Sequence, residues 1–285
     1  MMSQAVLSAD GAAWESRVAA AIGQPARLAV AFSGGVDSAV LTALAVRHLG
    51  SQRVLAVLGV SASLAAAERT AACNLARLIG VPLVELATRE LDDAAYRANA
   101  PDRCFHCKTR LFTQIEDEIT ARYSIDAVAF GENADDARRI DRPGSAAATN
   151  HHVLRPLATA GLTKAMVRQL ARELGLPVAD KPASPCLASR IPHYQPVTAD
   201  KLKQIDQAEQ AVRDLGFAEL RVRHHGPIAR LELPEEDLPR TLSPDVRSLL
   251  VKAIRQAGFR HVVLDLDGLK SGVFTMEATR EIGDD

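Results

Sequence analysis

The chain has 285 residues, 47% of them hydrophobic and 24% charged, with 34 basic against 35 acidic side chains. That length supports one large core or two moderate ones, and two domains are expected. The near-zero net charge gives no global attraction to nucleic acid or to an anionic membrane surface. No stretch approaches the roughly 18 apolar residues that a membrane span needs, and the first residues, MMSQAVLSADGAAWESRVAAAIG, combine neither a basic leader nor a signal-length apolar run, so a cytoplasmic protein is expected.

In chain order, residues 14–23 are predicted to be helical, RLAVAF (27–32) a buried strand, and DSAVLTALAVRHLG (37–50) a helix ending at Gly50. VLAVLGV (54–60) is the next strand, followed by a helix over 65–80, a strand over 82–88, a helix over 109–124 and a fourth short apolar run, AVAFGE (127–132). Strands alternating with helices of this length predict an α/β domain with a parallel sheet covered on both faces. TKAMVRQLARELG (163–175) adds a helix. The proline-studded stretch 176–196 cannot stay regular, because each proline removes a backbone donor and restricts its neighbour. The expected boundary lies at its end, giving domains 1–195 and 196–285. The second is predicted to be a small α/β domain with a helix over 198–215, two strands within ELRVRHHGPIARLEL (219–233), a helix near 244–257 and a strand HVVLDL (261–266).

In SGGVDS (33–38) a strand ends, two glycines let the backbone turn and approach a ligand, and a helix begins with unpaired N–H groups facing the loop. An anion belongs there. The Gly-Lys-Ser/Thr of a Walker loop is replaced by Val36-Asp37-Ser38, so transfer of a terminal phosphoryl group in the Walker manner is not expected. The stretch resembles the pyrophosphate-binding loop of the N-type ATP pyrophosphatases, which include GMP synthetase, NAD synthetase and the tRNA thiolation enzymes. That resemblance implies ATP bound by Ser33, Gly34, Gly35, Val36, Asp37 and Ser38 with Mg2+, attack of a substrate oxygen on the α phosphorus, and departure of pyrophosphate, a charge stabilised at a preformed dipole site.

The chain has four cysteines. Cys73, among alanines on a predicted helix, reads as a small buried side chain. Cys104 and Cys107 form a Cys-x-x-Cys pair in RCFHCK (103–108), which suits a redox pair, half a zinc site or two cluster ligands. Cys186 lies in KPASPCLASR, between the basic residues Lys181 and Arg190 that would stabilise a thiolate. Three thiolates can hold three irons of a 4Fe–4S cluster and leave the fourth iron open for hydrosulfide. His106, His151 and His152 are rival ligands of lower weight.

SGGVDS, NAPDRCFHCK (99–108), GENADDARRIDRPG (131–144), DKPASPCLASRIP (180–192), RVRHHGPIARLEL (221–233) and LDLDGLKSG (264–272) together resemble the motifs of the LarE family, the ATP-dependent sulfur transferases of nickel-pincer cofactor synthesis. The resemblance implies adenylation of a carboxylate of pyridinium-3,5-biscarboxylate mononucleotide and its conversion to a thiocarboxylate with loss of AMP. It further implies the cluster-bearing branch, with a 4Fe–4S centre on Cys104, Cys107 and Cys186 delivering sulfide. In the other branch the residue equivalent to Cys186 gives up its own sulfur and becomes dehydroalanine.

Glu132, Asn133, Asp135 and Asp136 follow a strand and are expected at its ligand-binding carboxyl end. Arg221 and Arg223 share a strand face that suits a substrate phosphate. Arg190, Glu232 and Asp265 are further candidates for substrate or metal. GLKSG (268–272) departs from the family, which more often has an aromatic and an arginine before Ser-Gly. The expected partners are a small nucleotide substrate, sulfide or a sulfur-donor protein, and further copies of the chain; membrane and nucleic acid are not expected, since a tRNA thiolation enzyme needs a large basic surface. A nucleotide-binding iron or redox sensor is the non-enzyme alternative, and zinc on the three cysteines would indicate a structural role.

Overall fold

The computed structural model describes residues 5–138 and 143–269. Residues 139–142 of the GENADDARRIDRPG stretch and 270–272 of GLKSG lie outside them, and so does the departure noted there. The chain forms two compact units. The first comprises Met1–Ser61, Glu68–Glu90 and Cys104–Ser184; the second comprises Ala62–Ala67, Leu91–Arg103 and Pro185–Asp285.

The first unit is built on strands β1 (Leu28–Ala31), β2 (Val54–Val60), β3 (Leu83–Ala87) and β4 (Ala127–Phe130), in the order β3-β2-β1-β4 and all parallel. Leu28, Ala29, Val30 and the first five residues of β2 are buried, as expected of strands with both faces covered. Helices α1 (Ala9–Ile22), α2 (Val36–Leu49), α3 (Ala66–Ile79) and α4 (Arg103–Gln114) alternate with the strands, and α5 (Pro143–Asn150) and α6 (Lys164–Glu173) follow. Phe112 and Ile115 pack with Ala29, Leu55, Val57 and Phe130 in one core cluster.

α1 starts at Ala9 rather than near residue 14. Ser8 caps it, accepting from Gly11 N at 3.1 Å, and is itself fixed to Glu173 by two hydrogen bonds of 3.0 and 2.8 Å. RCFHCK is helical, because α4 begins at Arg103 and passes into a π-helical turn over Ile115–Thr120, so Cys104 and Cys107 lie one turn apart on one helix face. Sequence periodicity had indicated a helix only from residue 109, since the polar run before it carries no apolar repeat.

The second unit holds β5 (Arg221–His225), β6 (Ile228–Glu232) and β7 (His261–Leu264), antiparallel between β5 and β6 and parallel between β6 and β7. Helices α7 (Ala199–Asp214) and α8 (Pro244–Gln256) supply Ala208, Val212, Leu250 and Ile254 to a core shared with Val222, Ala229 and Leu231. Unlike a single division at 195/196, this unit takes in 91–103 and starts its main segment at Pro185. The reason is polar: the fully buried Asn99 donates from Nδ2 to the carbonyls of Ile191, Pro192 and Gln195 at 3.3, 2.7 and 3.0 Å.

Gly131, just past β4, has no room for a side chain: a Cβ there would lie 2.6 Å from Ser38 N and 2.7 Å from Asp37 C, both backbone atoms at the start of α2. Gly131→Ala is expected to cost about 1–3 kcal/mol in urea unfolding, the usual penalty for overpacking; wild-type stability would show that α2 can withdraw freely.

Candidate functional site

In the first unit β1 ends at Ala31, and Ser33-Gly34-Gly35 turns the chain into α2. Gly34 takes φ of 73°, and a Cβ on it would stand 2.8 Å from Cβ of Ala72 on α3, so two independent constraints demand glycine. The loop is braced internally: Ser33 N donates to Ser38 Oγ at 3.3 Å, the two hydroxyls are 3.2 Å apart, and Ser38 Oγ donates to Gly35 O at 3.0 Å. Gly35 caps α2 without a side chain, so the amides of the first turn have no side-chain acceptor and face an anion-receiving cradle.

Asp37 stands at this helix start. Its Oδ2 is 2.5 Å from Lys164 Nζ, and its Oδ1 accepts from Asn133 Nδ2 at 3.1 Å. The same Asn133 amide donates to Asp136 Oδ2 at 2.9 Å, while Asn133 Oδ1 accepts from Asp135 N and Asp136 N, both at 3.0 Å. Asp135 in turn accepts from Lys164 N at 2.8 Å. Asp136, through Asn133, and Asp135, through Lys164, are therefore linked to Asp37 of the loop. Lys164 was not anticipated. It opens α6 behind the cap Thr163, and a lysine after a helix cap carries no functional signal in one sequence. Glu132 is 2% exposed; Ser145 Oγ donates to its Oε1, Arg155 Nη1 lies 3.7 Å from Oε2, and that oxygen makes no hydrogen bond among the described residues.

In the second unit, Cys186 is exposed and begins a 3-10 turn over Leu187–Arg190. Arg190 is buried and forks onto the fully buried Glu209 at 2.8 and 3.2 Å, and Glu209 also accepts from Arg213 Nη2 at 2.9 Å and Val222 N at 3.1 Å. Arg223 forks onto Glu232 at 2.8 and 2.9 Å, Arg230 reaches Glu232 at 3.2 Å, and Arg230 Nη1 lies 3.3 Å from Asp265.

Glu232 and Asp265 partner arginines, and Asp265 falls one residue beyond β7. Arg190 and Arg223 turn their forks toward carboxylates. Arg221, 6% exposed, lies on the same strand face as Arg223. Burial, followed by the like charges of Arg223 and Arg190, lowers its pKa, which is the setting in which a further anion is welcome.

All four cysteines are free thiols, with Cys104 exposed and Cys107 half-buried. Cys104 and Cys107 belong to the first unit and Cys186 to the second. Among the described residues no three His, Cys, Asp or Glu side chains are gathered to hold a metal. None of the described helices is long and apolar enough to cross a membrane.

Comparison with known proteins agrees with this geometry. The NAD synthase family profile matches residues 19–122. The chain is 37% identical over 258 residues to an uncharacterised protein of Synechocystis sp., covering 90% of this chain and 95% of that protein. It is 34% identical over 258 residues to pyridinium-3,5-bisthiocarboxylic acid mononucleotide synthase of Lactiplantibacillus plantarum, covering 90% and 92%. A protein of Methanocaldococcus jannaschii is 28% identical over 173 residues, 61% of this chain and 66% of that protein.

A four-stranded parallel sheet with this loop between β1 and α2 defines a PP-loop ATP pyrophosphatase domain. Within that class the chain belongs to the LarE family, that of pyridinium-3,5-bisthiocarboxylic acid mononucleotide synthase.

Glu209→Ala would strand Arg190 without its carboxylate, and the loss is expected to reach about 3–5 kcal/mol in urea unfolding. A loss below about 1 kcal/mol would show that the guanidinium is solvated.

Proposed function

We propose that the protein is an ATP-dependent sulfur transferase that converts a carboxylate of pyridinium-3,5-biscarboxylate mononucleotide into a thiocarboxylate for nickel-pincer cofactor synthesis. The observation that carries the reading is the uncapped, glycine-lined start of α2, in a chain alike over nine-tenths of its length to a synthase of the bisthiocarboxylic mononucleotide.

In the first half-reaction the loop amides, with the Ser33 and Ser38 hydroxyls, hold the β and γ phosphates of ATP. Lys164 supplies the cation that a Walker loop would carry within itself. A substrate carboxylate oxygen attacks the α phosphorus, the bond from that phosphorus to the bridging oxygen breaks, and pyrophosphate leaves from a site already polarised to receive its charge. Asp37 and Asp136, which meet on the Asn133 amide, offer the hard oxygen donors that suit Mg2+, and Mg2+ bound there would neutralise the phosphates. Arg221 anchors the phosphate of the mononucleotide, and Arg223, held by Glu232, keeps β5 in register beside it.

In the second half-reaction a sulfur nucleophile attacks the acyl carbon, the bond to the adenylate oxygen breaks, and AMP leaves. Two thiols one helical turn apart and a third on an exposed turn are the donor chemistry of a 4Fe–4S cluster; Cys104, Cys107 and Cys186 would hold it, and it would supply sulfide. With sulfide as the nucleophile Cys186 is unchanged at the end of a turnover. With its own sulfur, Cys186 forms a thioester, loses its Cα proton and breaks its Cβ–Sγ bond, leaving the thiocarboxylate and dehydroalanine with no outside oxidant or reductant. The protein is expected to act as a cytoplasmic homo-oligomer on this small nucleotide substrate.

Two experiments test the reading. With ATP, Mg2+ and the dicarboxylate, pyrophosphate should be released; Asp37→Asn should abolish it, and Lys164→Ala should raise the Kd for ATP about 10-fold or more, the loss of one charge-assisted contact. Full pyrophosphate release by Asp37→Asn would sink the assignment of the loop. Separately, protein purified without oxygen should hold about four irons per chain with acid-labile sulfide, lost in Cys104→Ala. Absence of iron after anaerobic reconstitution, with Cys186 recovered as dehydroalanine after turnover, would make Cys186 the donor; zinc in its place would make the thiols structural.

A further inference from the structure

Cys186 is exposed, but the backbone around it is pinned at several points. Leu187 N donates to Ser63 O at 2.9 Å and Ser189 N to Cys186 O at 2.9 Å. Three arginines hold the carbonyls. Arg190 Nη1 donates to Pro185 O at 2.7 Å and Cys186 O at 3.3 Å, Arg103 Nη1 to Ala188 O at 3.0 Å, and Arg223 Nη1 to Ser189 O at 2.8 Å. All three side chains are buried, at 7% exposure or less.

Four of the five carbonyls from Pro185 to Ser189, all but that of Leu187, thus receive guanidinium donors. A short 3-10 turn needs no such support, and burying an arginine costs several kcal/mol unless its donors are used. Arg190 and Arg223 also serve Glu209 and Glu232. Arg103 does something else: the same Nη1 also donates to Oδ1 of Asn99, whose amide holds Ile191, Pro192 and Gln195. It joins the carbonyl two residues after Cys186 to the buried amide that fixes the chain beyond the turn.

We propose that Arg103 is a positioning residue for sulfur transfer, fixing the 185–189 turn so that the Cys186 thiol stands on a rigid base while adenylation proceeds without it. This rests on Cys186 handling sulfur in the reaction proposed above. A nucleophile or ligand misplaced by about 1 Å costs about 100-fold in rate, so the effect belongs in the second half-reaction.

The experiment compares wild type, Arg103→Met and Arg103→Lys, supplied with ATP, the dicarboxylate mononucleotide and sodium sulfide. Pyrophosphate release is expected within about twofold of wild type in both variants, whereas kcat for thiocarboxylate falls about 10- to 100-fold in Arg103→Met at unchanged KM, with Arg103→Lys in between. Thiocarboxylate formed by Arg103→Met at the wild-type rate overturns the proposal, as does an equal fall of both half-reactions, which would mark a general structural role. Amide hydrogen exchange reads the geometry independently of chemistry: Leu187 and Ser189 should exchange faster in Arg103→Met while α2 is unaltered, and unchanged exchange overturns it. If wild type releases no pyrophosphate, the functional reading fails and the exchange result alone decides the positioning. Should Arg103→Met not fold, Arg103→Gln takes its place with the same expected order.

Discussion

A buried carboxylate is costly unless donors surround it, and in the second unit Glu209 is surrounded by Arg190, Arg213 and a backbone amide. Much of the local architecture follows from it. Because Arg190 must lie flat against Glu209, its remaining nitrogen faces the carbonyls of Pro185 and Cys186. Because Val222 N is also spent on Glu209, β5 is fastened to α7, and Arg223, the next residue, meets Glu232 across the hairpin. Buried ion pairs add little net stability over well-packed apolar groups, but breaking one is costly. Such a network makes the geometry of the turn bearing the exposed Cys186 definite.

The first unit relies on a different constraint, which is close backbone approach. Gly131 against the start of α2 and Gly34 against α3 leave no space for a methyl group. Gly131 brings the chain after β4 against the start of α2, where Asn133 reaches Asp37. Parallel-sheet enzymes gather ligands at such ends because the strand termini and helix starts there present unpaired donors. Lys164, distant in sequence, brings its charge to Asp37 at the start of α2 from a separate helix.

The sheet, its strand direction and the anion-receiving loop were legible because they depend on patterns that repeat locally, apolar runs bounded by glycine and helical spacing after SGGVDS. The π-helical turn and the helical state of RCFHCK were not, since that segment's polar residues give no period until tertiary packing buries Phe112 and Ile115. The carboxylates of GENADD were placed correctly at a strand end, yet the arginines of RVRHH were read as donors awaiting a ligand. Of the two, Arg223 forks onto Glu232 on the neighbouring strand, and a sequence cannot say which carboxylate a fork will meet. The second unit's discontinuity was hidden for the same reason: one buried amide, Asn99, draws 91–103 to a loop more than ninety residues on.

That discontinuity bears on the chemistry. The chain passes between the units after Ser61, Ala67, Glu90, Arg103 and Ser184. Cys104 immediately follows one passage and Cys186 stands two residues after another, so each is tied by a few covalent bonds to the unit to which it does not belong. The loop and its acidic neighbours, by contrast, lie well inside the first unit. The loop and its neighbours are held on one packed sheet, whereas the Cys186 turn directly follows a change of unit. A turn in that situation has to be held by side chains instead, and the guanidinium groups of Arg103, Arg190 and Arg223 supply the donors that a sheet or long helix would provide from its own backbone.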